Sequence, residues 1–433
     1  MTATFVQRGL WPYARDAVQV RGLRLTGHID EERLTAAVRQ VTAALPVLAA
    51  ELTDGELGMG SYAPDPADVD LRGVAPAGRD AACVALLRAD RDRPAPCGHR
   101  ARFHLVRLHD DEVVLALTAH SLLLDTQSLY AVLGAVCQAY AGRFRPEQYR
   151  DVTALLDLDP LTDRARDSRR RWWNRRLDAL PAPSAAVGGG RATETHRLRI
   201  PGALWRDLTG QDGPLGGAGS LPVMALAAWC LRAPDATGPT AFATIVDLRE
   251  HLQLGSAIGP FTDRLVFWAD LGDMTAPSFR DVLLRTQAGF LDAVVHYLPY
   301  GEVVELGRAL GRITPPRTAA HWNVALSFCR HPPTSAATRG ERTLAERGLS
   351  IELFREADLL GAATPVPASR WDGTALDLSL GELGDDIVLV LDADPRHGPA
   401  PDLLERMDHL LRAAAADPDA PLPAHTATPR SHL

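Results

Sequence analysis

The chain of 433 residues carries 46 basic and 54 acidic side chains, a formal net charge of −8 at pH 7, and 46% hydrophobic residues. This composition is typical of a globular protein, and the length suits two domains. The acidic balance argues against nucleic-acid binding, because proteins of that class usually carry a basic face. No apolar run approaches the roughly 20 residues of a membrane span, and the N-terminus lacks a signal peptide. We therefore expect a cytoplasmic protein without membrane contact.

The use of lysine and cysteine limits the chemistry of the site. All 46 basic residues are arginine, because the sequence contains no lysine. Lysine-anchored pyridoxal phosphate and a P-loop are therefore excluded, since both need a lysine amine. The five cysteines are scattered with no CxxC pair, which argues against a zinc site or a disulfide framework. We expect free, mostly buried thiols, no metal, and no cofactor carried by this chain.

The first half predicts both helices and strands. Asp30 is a candidate N-cap for a helix whose apolar residues, from 34 to 45, follow spacings of four, three and four. Two β-rich runs at 105–108 and 113–118 predict a hairpin. A second amphipathic helix follows at 129–140. Residues 120–128 are therefore expected to lie on a loop between a core strand and a helix, where functional groups are often held.

The second half predicts a similar architecture after an exposed connection. Residues 181–195 are rich in proline, glycine and small side chains, so we place a boundary near residue 180. The expected lobes are residues 1–180 and residues 181–433. Strands and helices in both halves indicate an α/β class built as α+β sandwiches. The pattern predicts helices at 221–231 and 403–414 and strands at 241–246, 265–269, 324–328 and 387–391.

The segment HSLLLDT at residues 120–126 resembles the HHxxxDG motif of the condensation domains of nonribosomal peptide synthetases. Together with five further segments it covers nearly the whole chain. The resemblance implies two chloramphenicol-acetyltransferase-like lobes that form a V-shaped pseudo-dimer with a tunnel between them. The other segments resemble motifs of this family in the same order: QRGLW at 7–11, RLTGHID at 24–30, RWWNRRL at 171–177, IGPFTDRL at 258–265 and LPYGEVV at 298–304.

The resemblance also implies an activity and its partners. Members of this family join acyl or aminoacyl groups bound to carrier proteins, so this chain would be an acyltransferase that forms amides or esters at the interlobe cleft. The phosphopantetheine arm would belong to the partner carrier protein and not to this chain. We expect a monomer that binds such a carrier and, in addition, other synthetase modules or a tailoring enzyme.

Departures from the family pattern leave two functions open. The second His of the motif, the one nearest the reacting groups in the family, is replaced by Ser121. A serine hydroxyl cannot act as a base near pH 7, whereas an imidazole can. The Gly that follows the motif Asp is replaced by Thr126. The chain is therefore either an enzyme that dispenses with the second His or a non-catalytic module that recruits carrier proteins or a tailoring enzyme.

The resemblance assigns roles to individual residues. His120 and Ser121 are the candidate catalytic residues. Asp125 is expected to order the loop through an arginine, with Arg249 as its partner, because an unpaired buried charge costs several kcal/mol. The candidates for lining the tunnel and binding substrate are Thr126, Gly259, Phe261, Asp263 and Trp322.

Several candidates have a purely structural alternative. His120 either packs beneath the loop or swings in as a substitute base. Ser121 is either an inert small replacement or a hydroxyl that binds substrate or an ordered water. Seven arginines at residues 164–176 form either a solvated helix face or a docking surface for an acidic carrier protein.

Overall fold

The computed structural model describes most of the chain. Trp322, a tunnel candidate, and residues 181–193 of the connection predicted at 181–195 lie outside the described residues, whereas residues 194 and 195 begin a strand. No helix in the described part is long and apolar enough to cross a membrane. The described residues are 3–14, 17–59, 65–93, 98–156, 158–159, 161–179, 194–209, 221–231, 240–272, 274–312, 324–327, 344–345, 348–354, 376–383, 386–394 and 400–422.

Eleven α-helices lie in these ranges. They are α1 (Phe5–Leu10), α2 (Glu31–Ala44), α3 (Arg79–Arg91), α4 (Thr126–Tyr140), α5 (Asp163–Asp178), α6 (Gly202–Thr209), α7 (Leu221–Leu231), α8 (Leu248–His251), α9 (Phe279–Val295), α10 (Tyr300–Ala309) and α11 (Ala400–Ala416).

Sixteen strands lie in the same ranges. They are β1 (Val18–Thr26), β2 (Ala50–Thr53), β3 (Glu56–Met59), β4 (Ala67–Asp70), β5 (His99–Arg100), β6 (Arg102–His109), β7 (Glu112–His120), β8 (Arg150–Asp151), β9 (Glu194–Ile200), β10 (Thr240–Asp247), β11 (Ala257–Ile258), β12 (Thr262–Ala269), β13 (Val324–Ser327), β14 (Ser350–Phe354), β15 (Leu376–Leu383) and β16 (Asp386–Ala393).

The predicted elements are largely confirmed, and with them the mixed α/β class. Asp30 caps α2 by accepting from the backbone N–H of Arg33. The predicted hairpin is β6 and β7, and the predicted helix at 221–231 is α7, with the same ends. The loop predicted at 120–128 is shorter in the structure, at 121–125, because β7 extends through His120 and α4 begins at Thr126.

Two large sheets organise the chain. One has five strands in the order β14-β1-β7-β6-β4, and the other has six in the order β12-β10-β13-β15-β16-β9. In the first sheet β1 pairs antiparallel with β7 from Val18–His120 to Thr26–Glu112. Almost all of β7 is buried, because α3 and α4 both contact it. Burial on both sides gives the near-continuous apolar sequence of this strand.

The described contacts group the chain into two compact units. The first contains Met1–Pro160, Asp247–Thr262 and His331–Thr364, and the second contains the remaining three segments. This grouping differs from the expected single boundary near residue 180. Helix α5 joins the second unit because it packs on α10, and the segment 247–262 joins the first because β11 pairs with β8. Neither long-range contact has a local sequence signal.

Candidate functional site

The candidate site is the five-residue loop 121–125 between β7 and α4, in the first unit. All five of its backbone N–H groups donate hydrogen bonds, the first from Ser121 to the carbonyl of Ala17 at 2.7 Å. The buried side chain of Gln7 donates through Nε2 to the carbonyl of Leu122 at 2.8 Å. The protein therefore fixes the loop without a ligand. No local pattern in the sequence predicts the role of Gln7, although this residue belongs to the QRGLW segment.

Asp125 joins the loop to the segment 257–262. Its Oδ1 accepts from the N–H of Ser128 and so caps α4, while its Oδ2 accepts from the N–H of Phe261 at 2.9 Å and the hydroxyl of Thr262 at 3.1 Å. The predicted contact with Arg249 is confirmed, with 2.9 Å between Nη2 and Oδ1. Both side chains are buried.

Arg249 is shared by two carboxylates. Burial alone would raise the pKa of Asp125, but attraction to Arg249 and the donated hydrogen bonds outweigh burial and lower that pKa. Asp247, 3.0 Å from Nη1 of Arg249, has a raised pKa because burial outweighs this attraction. The arginine also donates to the carbonyl of Ala257 at 2.9 Å. The motif carboxylate thus remains ionised in a satisfied, buried network.

Ser128 and Gly259 complete the junction. The hydroxyl of Ser128 lies 2.9 Å from both the N–H and the carbonyl of Gly259, and it accepts from Arg249 at 2.8 Å. Gly259 has a φ of +151°, and a Cβ there would lie 2.4 Å from Cβ of Val152. Glycine is therefore required by both conformation and space. Gly259 is a backbone partner of the loop, and its expected tunnel role stays a prediction.

His120 packs beneath the loop. Its ring is fully buried, and its Nδ1 accepts from the N–H of Leu122 at 3.1 Å. The ring centroid lies 4.5 Å from that of His99 and 5.7 Å from that of Trp11. Because Nδ1 accepts a hydrogen bond, the imidazole is neutral with its proton on Nε2. This geometry favours the packed alternative over a base that swings into the site.

Ser121 occupies the position of the second motif His. Its Oγ is buried and has no hydrogen-bond partner in the described part of the chain. The neighbouring Thr126 replaces the motif Gly without strain, since it is the first residue of α4 and has no positive φ. Its hydroxyl donates to Oε1 of Gln19 at 2.7 Å. The hydroxyl of Thr126 is therefore bonded, whereas that of Ser121 has no hydrogen-bond partner among the described residues.

Two of the substrate-binding candidates are buried against protein groups. The ring of Phe261 lies beneath the guanidinium of Arg249, at 5.1 Å from its centroid. Asp263, in the second unit, accepts from the hydroxyl of Tyr297 at 2.6 Å and the N–H of Tyr300 at 3.2 Å. Burial raises the pKa of Asp263 to about 6 despite these donors. Their expected contacts with substrate stay predictions, as does that of Trp322.

Among the described residues, neither thiols nor a cluster of metal ligands adds to this loop. The expectation of buried thiols outside disulfides is confirmed for Cys83, Cys137 and Cys230. Burial raises the pKa of Cys83 and of Cys230 to about 12, which keeps both thiols protonated. Within the described ranges, no group of three histidine, cysteine, aspartate or glutamate residues is arranged to hold a metal ion.

Solved structures share this fold. The crystal structure of the tallysomycin biosynthesis protein TlmII is 48% identical, with a TM-score of 0.83, and the match covers 98% of this chain and 100% of that chain. The first condensation domain of the calcium-dependent antibiotic synthetase is 16% identical, with a TM-score of 0.67 and 97% of each chain covered. The X-domain from teicoplanin biosynthesis, in complex with OxyB, is 19% identical, with a TM-score of 0.66 and coverage of 97% and 94%.

Sequence comparison identifies a curated relative. One of the linear gramicidin synthase proteins of Brevibacillus parabrevis is 24% identical over 315 residues, which span 66% of this chain and 6% of the synthase. No protein-family model matches the chain. With the motif loop and its Asp125–Arg249 junction, these likenesses define a chloramphenicol-acetyltransferase-like fold of the condensation type. The chain belongs to the condensation-domain family of nonribosomal peptide and antibiotic biosynthesis.

Proposed function

We propose that this chain is an acyltransferase that joins or modifies acyl or aminoacyl groups bound to carrier proteins, with loop 121–125 as its site. One observation carries the proposal: Ser121 presents a buried, unpartnered hydroxyl at the position of the second motif His. The loop beneath it is fixed by five donated N–H groups. Such a loop can orient a reactant without first being ordered by it.

Orientation rather than base catalysis would supply most of the rate. Neither Ser121 nor the packed, neutral His120 is suited to remove a proton. An amine nucleophile that is already deprotonated, however, needs little help from a general base. Holding two reactants in line lowers a barrier by about 7–11 kcal/mol in well-aligned cases. The Ser121 hydroxyl would contribute one hydrogen bond, to the reacting group or to an ordered water. The phosphopantetheine arm would enter with the carrier protein as part of the substrate.

Intact-protein mass spectrometry of an acyl-loaded carrier protein, with an aminoacyl-loaded carrier as acceptor, tests the proposal. Transfer should require this chain. Ser121→Ala should slow transfer by no more than about 5–30-fold, the value of roughly 1–2 kcal/mol for one hydrogen bond. Ser121→His would restore an imidazole and should accelerate transfer, by about 10²–10⁴-fold, where the ring is accommodated.

Ser128→Ala is a matched control for Ser121→Ala. Both changes delete one buried hydroxyl, but that of Ser128 is bonded to Arg249 and Gly259. Ser128→Ala should therefore lower the melting temperature, whereas Ser121→Ala should leave it unchanged. Absence of transfer with every loaded carrier would contradict the proposal. Complete loss of transfer in Ser121→Ala, with binding intact, would contradict the orientation mechanism.

The loss of the second motif His supports a second candidate function, a non-catalytic module that recruits carrier proteins or a tailoring enzyme. The teicoplanin X-domain, which shares the fold at 19% identity, forms a complex with OxyB. For such a module, neither Ser121 variant should alter function. A pull-down of the carrier protein that succeeds equally for wild type, Ser121→Ala and Ser121→His, without any transfer, would favour this candidate.

A further inference from the structure

Helix α5 carries seven arginines, and four of them contact other elements of the second unit. Arg166 contacts Glu302 at 3.0 Å, and Arg170 lies 3.8 Å from the same carboxylate. Arg169 donates to the carbonyl of Tyr297 at 2.8 Å, and Arg176 contacts Asp292 at 2.9 Å. These four side chains attach α5 to α9 and α10.

The other three arginines are exposed and lie on one stripe of α5. Arg164, Arg171 and Arg175 are spaced by seven and four residues, which places them on one side of a helix. None has an ion-pair or hydrogen-bond partner for its side chain among the residues that the structure describes. A row of three unneutralised positive charges is thus presented by a protein whose net charge is −8.

Helix α9, which lies beside α5, presents an exposed apolar stripe. Leu284, Leu291 and Val295 are 56%, 51% and 66% exposed and are likewise spaced by seven and four residues. The rings of Trp172 on α5 and His296 at the end of α9 are stacked at 4.5 Å. With the Arg176–Asp292 pair, this stack makes the two stripes parts of one surface, the α5–α9 surface.

We propose that the α5–α9 surface docks an acidic, amphipathic helix of a partner protein. The aliphatic stripe would receive the apolar face of that helix, and Arg164, Arg171 and Arg175 would pair with carboxylates along its edge. An anionic membrane fits less well, because charges and apolar groups lie on two helices and the whole chain is acidic. The proposal extends beyond acyl transfer and holds for an enzyme and for a recruitment module alike.

Fluorescence anisotropy with two labelled helical peptides tests the surface on the full chain. Both probes carry the same leucine stripe, flanked by glutamates in one and by arginines in the other. The acidic probe should bind saturably and the basic probe should not. Raising NaCl from about 50 to about 300 mM should weaken binding of the acidic probe severalfold, because exposed charges are screened.

Two variants assign the binding to the surface. The triple variant Arg164→Glu, Arg171→Glu and Arg175→Glu should weaken binding of the acidic probe by about tenfold or more, since attraction becomes repulsion. Its matched control is Arg145→Glu, Arg150→Glu and Arg206→Glu, which makes the same change in net charge at exposed arginines elsewhere in the chain. The control should retain nearly the wild-type affinity. The double variant Leu284→Gln and Leu291→Gln should also lower the affinity for the acidic probe. All variants should keep the wild-type melting temperature.

The outcomes separate this proposal from the proposed transferase activity, because the probes carry no thioester and no phosphopantetheine arm. Loss of affinity in the α5 triple variant, with the control unchanged, supports the surface even if no acyl transfer is found. Equal loss in both triple variants would reveal a non-specific charge effect and would overturn it. So would the absence of saturable binding, or binding to vesicles of phosphatidylcholine and phosphatidylserine without binding to the acidic peptide.

Discussion

Replacing Asp125 by Asn tests whether this carboxylate organises the motif loop. The carboxylate is 3% exposed and accepts four hydrogen bonds, among them those from Arg249 and the N–H of Phe261. The asparagine amide keeps the shape but brings an NH₂ group against an existing donor. Breaking a buried ion pair costs about 3–5 kcal/mol. Because Asp247 still contacts Arg249, we expect the free energy of unfolding to fall by about 3 kcal/mol.

Thermal and urea unfolding at pH 7 measure this effect. In a unit of roughly 150–250 residues, the size range of the first compact unit, each kcal/mol lowers Tm by about 2–4 °C. Asp125→Asn should therefore lower the Tm by about 6–12 °C. Asp247→Asn is the matched control, since it removes the other carboxylate from the same guanidinium. It should cost about 1 kcal/mol, because Asp247 is partly exposed and its pKa is already raised by burial.

A double-mutant cycle with Arg249→Met isolates the pairwise interaction. If Asp125 acts mainly through Arg249, the double variant should be less destabilised than the sum of the single variants, by at least about 1 kcal/mol. A Tm for Asp125→Asn within about 1 °C of wild type, or a coupling energy near zero, would refute the reasoning.

Three further predictions concern Asp263, Gly289 and His120. Burial raises the pKa of Asp263 to about 6, so between about pH 4 and 6 the folded state binds a proton that the unfolded chain has lost, and stability falls as pH rises through this window. Tm values measured by fluorimetry should therefore decrease from pH 5 to 7 by more in the wild type than in Asp263→Asn, and the difference corresponds to about 1 kcal/mol in free energy of unfolding. Alanine favours a helix interior by about 1 kcal/mol over glycine, yet Gly289→Ala in α9 should cost at least about 2 kcal/mol by urea unfolding, because its Cβ would lie 1.8 Å from the carbonyl oxygen of Trp268. In ¹⁵N-histidine NMR at pH 8, the His120 signal, assigned with His120→Gln, should report protonated Nε2 and unprotonated Nδ1, and the opposite tautomer would contradict the contact with Leu122.

The elements and one long-range pair of the site could be predicted from the sequence. The apolar run at 221–231 identified α7 with both ends, because a run of this length is too long for a typical buried strand. The pairing of Asp125 with Arg249, 124 residues apart, came from family resemblance rather than local pattern. Asp125 was recognised as structural for the same reason. The capping of α4 by Asp125, which accepts from the N–H of Ser128, can by contrast be predicted locally, because Asp is a preferred residue just before a helix.

The remaining contacts of the site lack a local signal. Ser128 and Gly259 are 131 residues apart, and Gln7 and Leu122 are 115 apart, so propensity and spacing do not report on either pair. The family resemblance placed Phe261 and Asp263 among the candidates for lining the tunnel and binding substrate, and that role stays a prediction. In the structure Phe261 contacts Arg249 and Asp263 contacts Tyr297, and the sequence motif does not report on either pair.

The two serines near the loop allow stability and function to be separated. Ser128 and Asp125 belong to the bonded network with Arg249, so changes there should alter stability and any transfer rate together. The hydroxyl of Ser121 has no partner among the described residues, and its removal costs the fold no hydrogen bond. A rate effect of Ser121→Ala at constant Tm therefore has to come from contact with substrate or an ordered water. Equal rates in Ser121→Ala and wild type, with transfer present, would instead assign all of the catalysis to orientation by the surrounding scaffold.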